Sequence, residues 1–328
     1  MNGGYYQWYD DRELARTSMR RRLKISLCAI VVFVLVTFLF GVISSYKAGL
    51  VYYFLGVNYG DVYIFDRICD IVLYTYQLVF PAAMYLLIRR IPFKSCFDFS
   101  RVSRIREKVT PFTVLRYFFI AFTISCSFSY IISFFTESIG LDSSGFSLPT
   151  ASTPVEFVFD ILSIAVLPAL FEEFVYRGVI LAELLPYGKS FAIVTSAMIF
   201  ASVHGSITQI AYAFVSGLIF AFIAVKTGSL TTGIVLHFLN NAFSCIVDYC
   251  LINYPGVVTE LVIGAVSTVI VLLGLVGTAY LIGNRRFELH EDSEEQLLSV
   301  SDSFKELRSP LMLCFYALVF AETLISYF

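Results

Sequence analysis

ILSIAVLPALFEEFVYRG, residues 161–178, is an apolar run that ends in two adjacent glutamates and an arginine. Its first part has the composition of a membrane-spanning helix, yet Glu172, Glu173 and Arg177 lie in its continuation. A charge at the centre of a bilayer costs roughly 2.5–3.5 kcal/mol on insertion scales, so charged residues in such segments commonly pair or have a function. The stretch therefore predicts that the chain spans a membrane and that its functional site lies near these three charged residues.

The whole chain shares this apolar character. Of its 328 residues, 58% are hydrophobic and 15% are charged, and the mean hydropathy is +0.79. Soluble domains are about 45–50% apolar and about 25% charged. The composition therefore predicts an all-α polytopic membrane protein whose first partner is the lipid bilayer. No nucleic acid is expected as a partner, because the basic residues cluster in loops beside apolar runs.

Apolar runs of about 17–25 residues predict eight transmembrane helices. A ninth candidate, residues 310–328, is short and contains Glu322. The eight predicted spans cover residues 25–45, 68–88, 112–135, 155–170 with an extension through the Glu-Glu stretch, 190–203, 208–225, 229–250 and 257–282.

The positions of Lys and Arg in short loops predict the orientation of the chain. The first 24 residues and the segment between the second and third spans are rich in both, whereas residues 136–154 contain neither. The N-terminus is therefore predicted to be cytoplasmic. The short loops and compact length favour a bacterial plasma membrane.

Two of the three histidines lie in or beside apolar spans. His204 ends the segment FASVH, and His237 is followed four residues later by Asn241 on the same helical face. The third, His290, lies in an acidic segment and is interpreted as a solvated surface histidine. Two histidines, an asparagine and a glutamate pair in nearby spans predict one shared polar cavity.

These side chains suit hydrolysis. Glu173 and Arg177 are four residues apart and can form an ion pair. That structural interpretation leaves Glu172 unexplained, since Glu172 lies about 100° around the helix from Glu173. A carboxylate and an imidazole in a dry cavity can activate a water as general bases. Glu172, His204 and His237 would also suit Zn²⁺ with an open position for water. The residues alone therefore fit a metal-free and a metal-bound hydrolase.

Three motifs carry a specific resemblance. Residues 172–177 fit EExxxR, residues 200–204 fit FxxxH, and residues 237–241 fit HxxxN. In this order, each on a predicted membrane helix, they resemble the CPBP family of intramembrane proteases. This family comprises the type 2 CAAX prenyl proteases and bacterial bacteriocin-processing or self-immunity relatives. The resemblance covers about residues 155–250 and implies a four-helix Abi catalytic core with endopeptidase activity.

The resemblance also implies roles for the residues. Glu172 and His204 would activate the attacking water, with the choice between Glu172 and Glu173 as the base left open. His237 and Asn241 would stabilise the oxyanion or help to hold a metal, and Glu173 and Arg177 would position Glu172. The expected cofactor is a zinc-like ion on Glu172, His204 and His237, as in a metalloendopeptidase, or none, as in a glutamate-type enzyme. The expected substrate is a peptide or protein that is prenylated, of CAAX type, or leader-bearing.

The predicted organisation has six regions. They are a cytoplasmic basic arm (1–24), three transmembrane helices with their loops (25–154), a CPBP/Abi protease core (155–250), an eighth transmembrane helix (251–283), a solvated acidic cytoplasmic linker (284–309) and the ninth candidate helix (310–328).

Other functions fit the sequence less well. No HExxH motif occurs, and no complete Gly-x-Ser-Gly motif marks a serine nucleophile. Asp66 and Asp70 at the start of the second span are interpreted as solvated residues. A non-catalytic immunity protein, a peptide-binding scaffold and a proton-coupled transporter are the alternatives. None of them requires the complete motif set, which favours the protease.

Overall fold

A computed structural model describes residues 3–56, 63–97, 107–139, 150–204, 206–284 and 298–325. Within these ranges the regular elements are helices, and no strand is present. The main helices are α1 (Gly3–Leu55), α2 (Tyr63–Arg89), α3 (Pro111–Ser138), α4 (Pro154–Tyr187), α5 (Lys189–Ala201), α6 (Ile207–Thr227), α7 (Leu230–Asn253), α8 (Val257–Gly283), α9 (Val300–Lys305) and α10 (Pro310–Ile325).

Seven of the described helices are long and apolar enough to cross a membrane, namely α2, α3, α4, α6, α7, α8 and the Glu13–Ile43 part of α1. The chain is therefore an integral, multi-pass, all-α membrane protein, which confirms the predicted fold class. Two predicted spans correspond to shorter helices. α5 has 13 residues, about 20 Å of helix, against a hydrocarbon core of about 30 Å. α10, the ninth candidate, has 16 residues.

Helix α4 carries the Glu-Glu stretch and departs from α-helical geometry twice. Ile161–Val166 and Glu173–Leu181 are π-helical, with α-helix on either side of each. In both segments a side chain from a neighbouring helix hydrogen-bonds a carbonyl. Ser196 Oγ donates to the Tyr176 carbonyl at 2.7 Å, and Asn241 Nδ2 donates to the Ile164 carbonyl at 2.9 Å. Such segments occur frequently at functional sites.

The turns after this helix and after α6 contain Pro and Gly, which interrupt helices. The 3₁₀ turn Leu185–Tyr187 ends α4 before α5 begins. Gly228 separates α6 from α7 with φ at 66°, a left-handed conformation that glycine adopts without a Cβ clash. These short connections keep α4, α5, α6 and α7 adjacent, and together they form the centre of the bundle.

The second half of the predicted acidic linker is packed rather than solvated. Ser303 Oγ donates to the Tyr187 carbonyl at 2.8 Å, and Phe304 packs edge-on against Phe191. Glu306 is 4% exposed and pairs with Arg20 and Lys24 of α1. Residues 285–297, including His290, lie outside the described part of the chain. The segment before α10 is thus fixed to both α1 and the end of α4.

The packing of α3 against α8 depends on a glycine. A Cβ at Gly274 would lie 2.0 Å from Thr123 Oγ1 and 2.3 Å from the Phe119 carbonyl oxygen. Distances this short cannot be met without moving α3, because one of the contacted atoms belongs to its backbone. We therefore expect Gly274→Ala to destabilise the protein by about 1–3 kcal/mol, the usual cost of overpacking.

Thermal unfolding of the purified protein in detergent, followed by circular dichroism, measures this effect. Gly264→Ala is the matched control on α8, since no atom lies within 4 Å of a Cβ built there. The control is expected to melt at or slightly above the wild-type temperature, because alanine favours a helix more than glycine does. Equal melting temperatures for Gly274→Ala and Gly264→Ala would contradict the proposed close contact.

Candidate active site

Two cavities meet at the Glu-Glu stretch. The first has a volume of about 700 Å³ and a mainly polar set of side chains around Glu172, including Arg67, Asp70, Gln209, Tyr212, Asn240 and Asn241. The second, of about 640 Å³, is mainly apolar and is walled by α1, α2 and α10. Glu172 and His204 line both cavities. The two residues therefore lie where a polar compartment adjoins an apolar one.

Glu172 is held from two sides. Its side chain is 15% exposed, and its Oε1 accepts a hydrogen bond from the Tyr74 hydroxyl of α2 at 2.5 Å. Its Oε2 lies 3.8 Å from His237 Nε2 of α7. The carboxylate is thus oriented while it still borders both cavities.

Glu173 has a different environment from Glu172. Its side chain and that of Arg177 are both fully buried, and Glu173 Oε1 lies 3.0 Å from Arg177 Nη1. The guanidinium also donates from Nη2 to the Gly217 carbonyl at 3.3 Å and lies over the Phe200 ring. Glu173 lines neither cavity. This buried pair therefore belongs to the framework of the site.

A glycine on α7 makes room for Glu173. A Cβ at Gly233 would lie 2.8 Å from Glu173 Oε2. One turn further along α7, the Nδ1 of His237 lies 3.0 Å from Glu173 Oε1. A carboxylate accepts hydrogen bonds, so His237 carries a proton on Nδ1 and directs Nε2 towards Glu172. Glu173 thus fixes the orientation of His237.

His204 lies in the loop between α5 and α6. Its Nδ1 is 3.0 Å from the Phe200 carbonyl, which can only accept, so Nδ1 carries the proton. In the neutral ring, Nε2 then has a free lone pair. The FxxxH spacing explains this contact, because residues four apart are about one helical turn apart, which brings the Phe200 carbonyl close to the His204 ring.

Two asparagines of α7 contribute amide groups to the polar cavity. Asn241 donates to the Ile164 carbonyl, and its Oδ1 accepts from Asn240 Nδ2 at 3.1 Å. Asn240 Oδ1 in turn accepts from the Tyr212 hydroxyl at 2.6 Å. Each amide NH₂ has two donors and uses one of them in contacts with the described residues, which leaves the second donor for a ligand.

The structure brings together the predicted residues Glu172, Glu173, Arg177, His204, His237 and Asn241 around one site. Among the described residues, no three His, Cys, Asp or Glu side chains are grouped in a way that could hold a metal ion. Glu172, His204 and His237 are therefore not arranged as a zinc site in this structure, and the zinc-like cofactor stays a prediction.

Several site residues carry no motif in the sequence. Tyr74, Gln77 and Tyr212 line the cavities from α2 and α6, and only the contacts of the folded chain identify them. Asn240 adjoins a motif residue, and its HFLNN context is the signal that could have revealed it.

A charged cluster contributes Arg67 and Asp70 to the lining of the polar cavity. Arg67 Nε donates to Asp160 at 2.8 Å, and Arg67 also pairs with Asp70 at 3.2 Å. Asp66 is 4% exposed, so its interpretation as a solvated residue is wrong. This end of α2 packs against α4, since Arg67 of α2 pairs with Asp160 of α4.

Cys96 does not supply an alternative nucleophile. It lies outside the spans, and burial raises the pKa of its thiol to about 11. The thiol is therefore protonated at neutral pH, and the thiolate is the nucleophilic form of cysteine.

The fold and the site together define a class: a polytopic membrane protein with a carboxylate–imidazole site inside its helical bundle. Residues 154–243 match the family model described as Rce1-like, type II CAAX prenyl endopeptidase Rce1-like. This part of the chain is therefore similar to Rce1-like domains, which agrees with the resemblance to the CPBP family drawn from the three motifs. Comparison with curated proteins and with solved structures finds no match.

The matched segment contains EExxxR, FxxxH and HxxxN in full. It ends within α7 and does not include α1, α2, α3, α8, α9 or α10. The family suggests a CAAX-type intramembrane endopeptidase, so the broad assignment is to a membrane protease.

Proposed function

We infer that the protein is an intramembrane endopeptidase that cleaves a peptide bond of a membrane-associated peptide or protein with a water activated by Glu172 and His204. One observation carries the proposal: both residues border the polar and the apolar cavity at once. Hydrolysis inside a membrane requires a polar compartment for water and polar backbone, next to a surface that accepts apolar substrate.

The chemistry divides among the residues as follows. The carboxylate of Glu172 takes a proton from water, and the oxygen attacks the carbonyl carbon of the scissile bond. The lone pair on His204 Nε2 offers a second acceptor for that proton. The proton is then delivered to the amide nitrogen as the carbon–nitrogen bond breaks, which releases an amine and a carboxylate. The negative charge on the tetrahedral oxygen is stabilised by the remaining amide donor of Asn241 and by His237 when Nε2 is protonated.

The apolar cavity supports a substrate with an apolar group beside the scissile bond. Its wall includes Val34 and Phe38 of α1 and Phe315, Leu318 and Val319 of α10. A prenylated CAAX-type peptide has such a group, and so does a leader peptide with apolar side chains. We therefore propose that this cavity receives the apolar part and the polar cavity receives the peptide backbone and water.

The proposal predicts that His204→Gln lowers the rate of cleavage by about 10²–10⁴-fold, the typical contribution of a general base. Purified wild-type and variant proteins are incubated with matched peptides, prenylated, unprenylated and leader-bearing, and new termini are identified by mass spectrometry. The same assay is run after dialysis against a chelator, with metal analysis of the protein. Equal cleavage by wild type and His204→Gln would contradict the proposal. Cleavage that is lost on chelation and restored by zinc would instead support a metal on Glu172, His204 and His237.

A further inference from the structure

Tyr74 makes a direct contact with the active-site carboxylate from outside the matched domain. It lies on α2, which precedes residues 154–243 and carries none of the three motifs. Its hydroxyl donates to Glu172 Oε1 at 2.5 Å, across 98 residues of sequence. A helix that the family match does not cover therefore contributes to the site.

Tyr74 belongs to a face of α2 that lines the site. Tyr74 and Gln77 are three residues apart, share one face of α2, and line both cavities. Tyr76 points elsewhere: it is 42% exposed and packs against Phe80 and Phe40. The helix thus presents one tyrosine to the site and another to the outside of the bundle.

The geometry at Glu172 indicates that Tyr74 orients the carboxylate. A carboxylate on a flexible side chain can rotate between several staggered conformations, and only some of them direct an oxygen at a water. Tyr74 occupies Oε1, while Oε2 faces His237 at 3.8 Å. Because the hydrogen bond from Tyr74 fixes Oε1, the other oxygen, Oε2, is directed towards His237.

We propose that Tyr74 is a positioning residue for this peptidase, which holds the carboxylate of Glu172 in the orientation that activates water. The inference rests on the proposed function, because it assigns Tyr74 a role in that reaction. Tyr74 acts through Glu172 and takes no proton from the substrate. Its loss should slow the chemical step while leaving substrate binding intact.

Tyr74→Phe removes the hydroxyl and keeps the ring. We expect kcat to fall by about 10- to 100-fold, the effect of losing one hydrogen bond to a charged group, and KM to change by less than about twofold. Tyr76→Phe is the matched control, two residues away on the same helix, and is expected to retain the wild-type kcat. Tyr76→Phe should melt at the wild-type temperature in detergent, and Tyr74→Phe should stay folded at the temperature of the assay.

A double-mutant cycle separates positioning from a general structural effect. Glu172→Asp shortens the side chain by one methylene, which takes the carboxylate out of reach of Tyr74. In that background, adding Tyr74→Phe should lower kcat by less than about threefold, because the interaction is already lost. A structural role would give the full decrease in both backgrounds.

The outcomes distinguish this inference from the proposed function. Cleavage that survives Glu172→Ala contradicts the proposed function and the role of Tyr74 with it. Cleavage that is lost in Glu172→Ala but unchanged in Tyr74→Phe overturns only the role of Tyr74. A raised KM with an unchanged kcat, or full additivity in the cycle, also overturns it.

Discussion

Glu172→Gln is expected to lower kcat for peptide cleavage by about 10²–10⁴-fold without loss of folded protein. Glutamine keeps the size and shape of the side chain, and its amide oxygen can still accept the hydrogen bond from Tyr74. It cannot take a proton from water at neutral pH. The variant therefore removes the basic function and leaves the contacts of the site in place.

The environments of the two glutamates favour Glu172 as the base. Glu172 borders both cavities, and its side chain retains 15% exposure. Glu173 is fully buried, and its Oε1 contacts both Arg177 and His237. Its Oε2 lies where a Cβ at Gly233 would be only 2.8 Å away. A water can approach the first carboxylate from a cavity, whereas the second is surrounded by protein.

Initial rates are measured with purified protein by mass spectrometry of the new termini. Glu156→Gln is the matched control on α4, because Glu156 caps the start of that helix and lines neither cavity. It should cleave at the wild-type rate. If Glu172→Gln cleaves normally while a folded Glu173→Gln variant is inactive, the assignment of the base is reversed.

The sequence predicted which motif residues lie near one another better than it predicted the walls of the site. EExxxR, FxxxH and HxxxN are local patterns, and the spacing within each determines which side chains share a helical face. The long spans follow from hydropathy for a similar reason, since the bilayer imposes one length on every crossing helix. These features depend on residues that are close together in the sequence, so they can be predicted from the sequence alone.

The features that the sequence did not reveal depend on contacts between distant segments. Tyr74 and Glu172 are 98 residues apart, and neither α2 nor α10 has a motif that indicates its neighbour. The burial of Glu306 depends on Arg20 and Lys24, nearly the whole chain away. The π-helical geometry of residues 173–181 also departs from the 3.6-residue period on which pattern analysis relies. Only the folded structure identifies such pairs.

Arg177→Met is expected to destabilise the protein by about 3–5 kcal/mol, the cost of removing one partner from a buried ion pair. Methionine fills much of the same volume, so the main loss is electrostatic: the carboxylate of Glu173 stays fully buried without its guanidinium. The contact of the cation with the Phe200 ring, whose centroid lies 4.4 Å away, is lost as well. Thermal unfolding in detergent at a fixed scan rate measures the effect, and Arg16→Met on the exposed part of α1 is the control.

A second variant identifies the cause of the loss. Combining Arg177→Met with Glu173→Gln removes the unpaired charge, so the double variant should melt above Arg177→Met alone. Glutamine can still accept the hydrogen bond from His237 through its amide oxygen, which preserves the link between α4 and α7. A double variant that melts lower than the single one would mean that packing around Arg177, and not its charge, holds the Glu-Glu stretch in place. If the double variant melts above Arg177→Met, the role of Arg177 is to neutralise the carboxylate of Glu173. A buried carboxylate in this helix is tolerated only when a cation accompanies it.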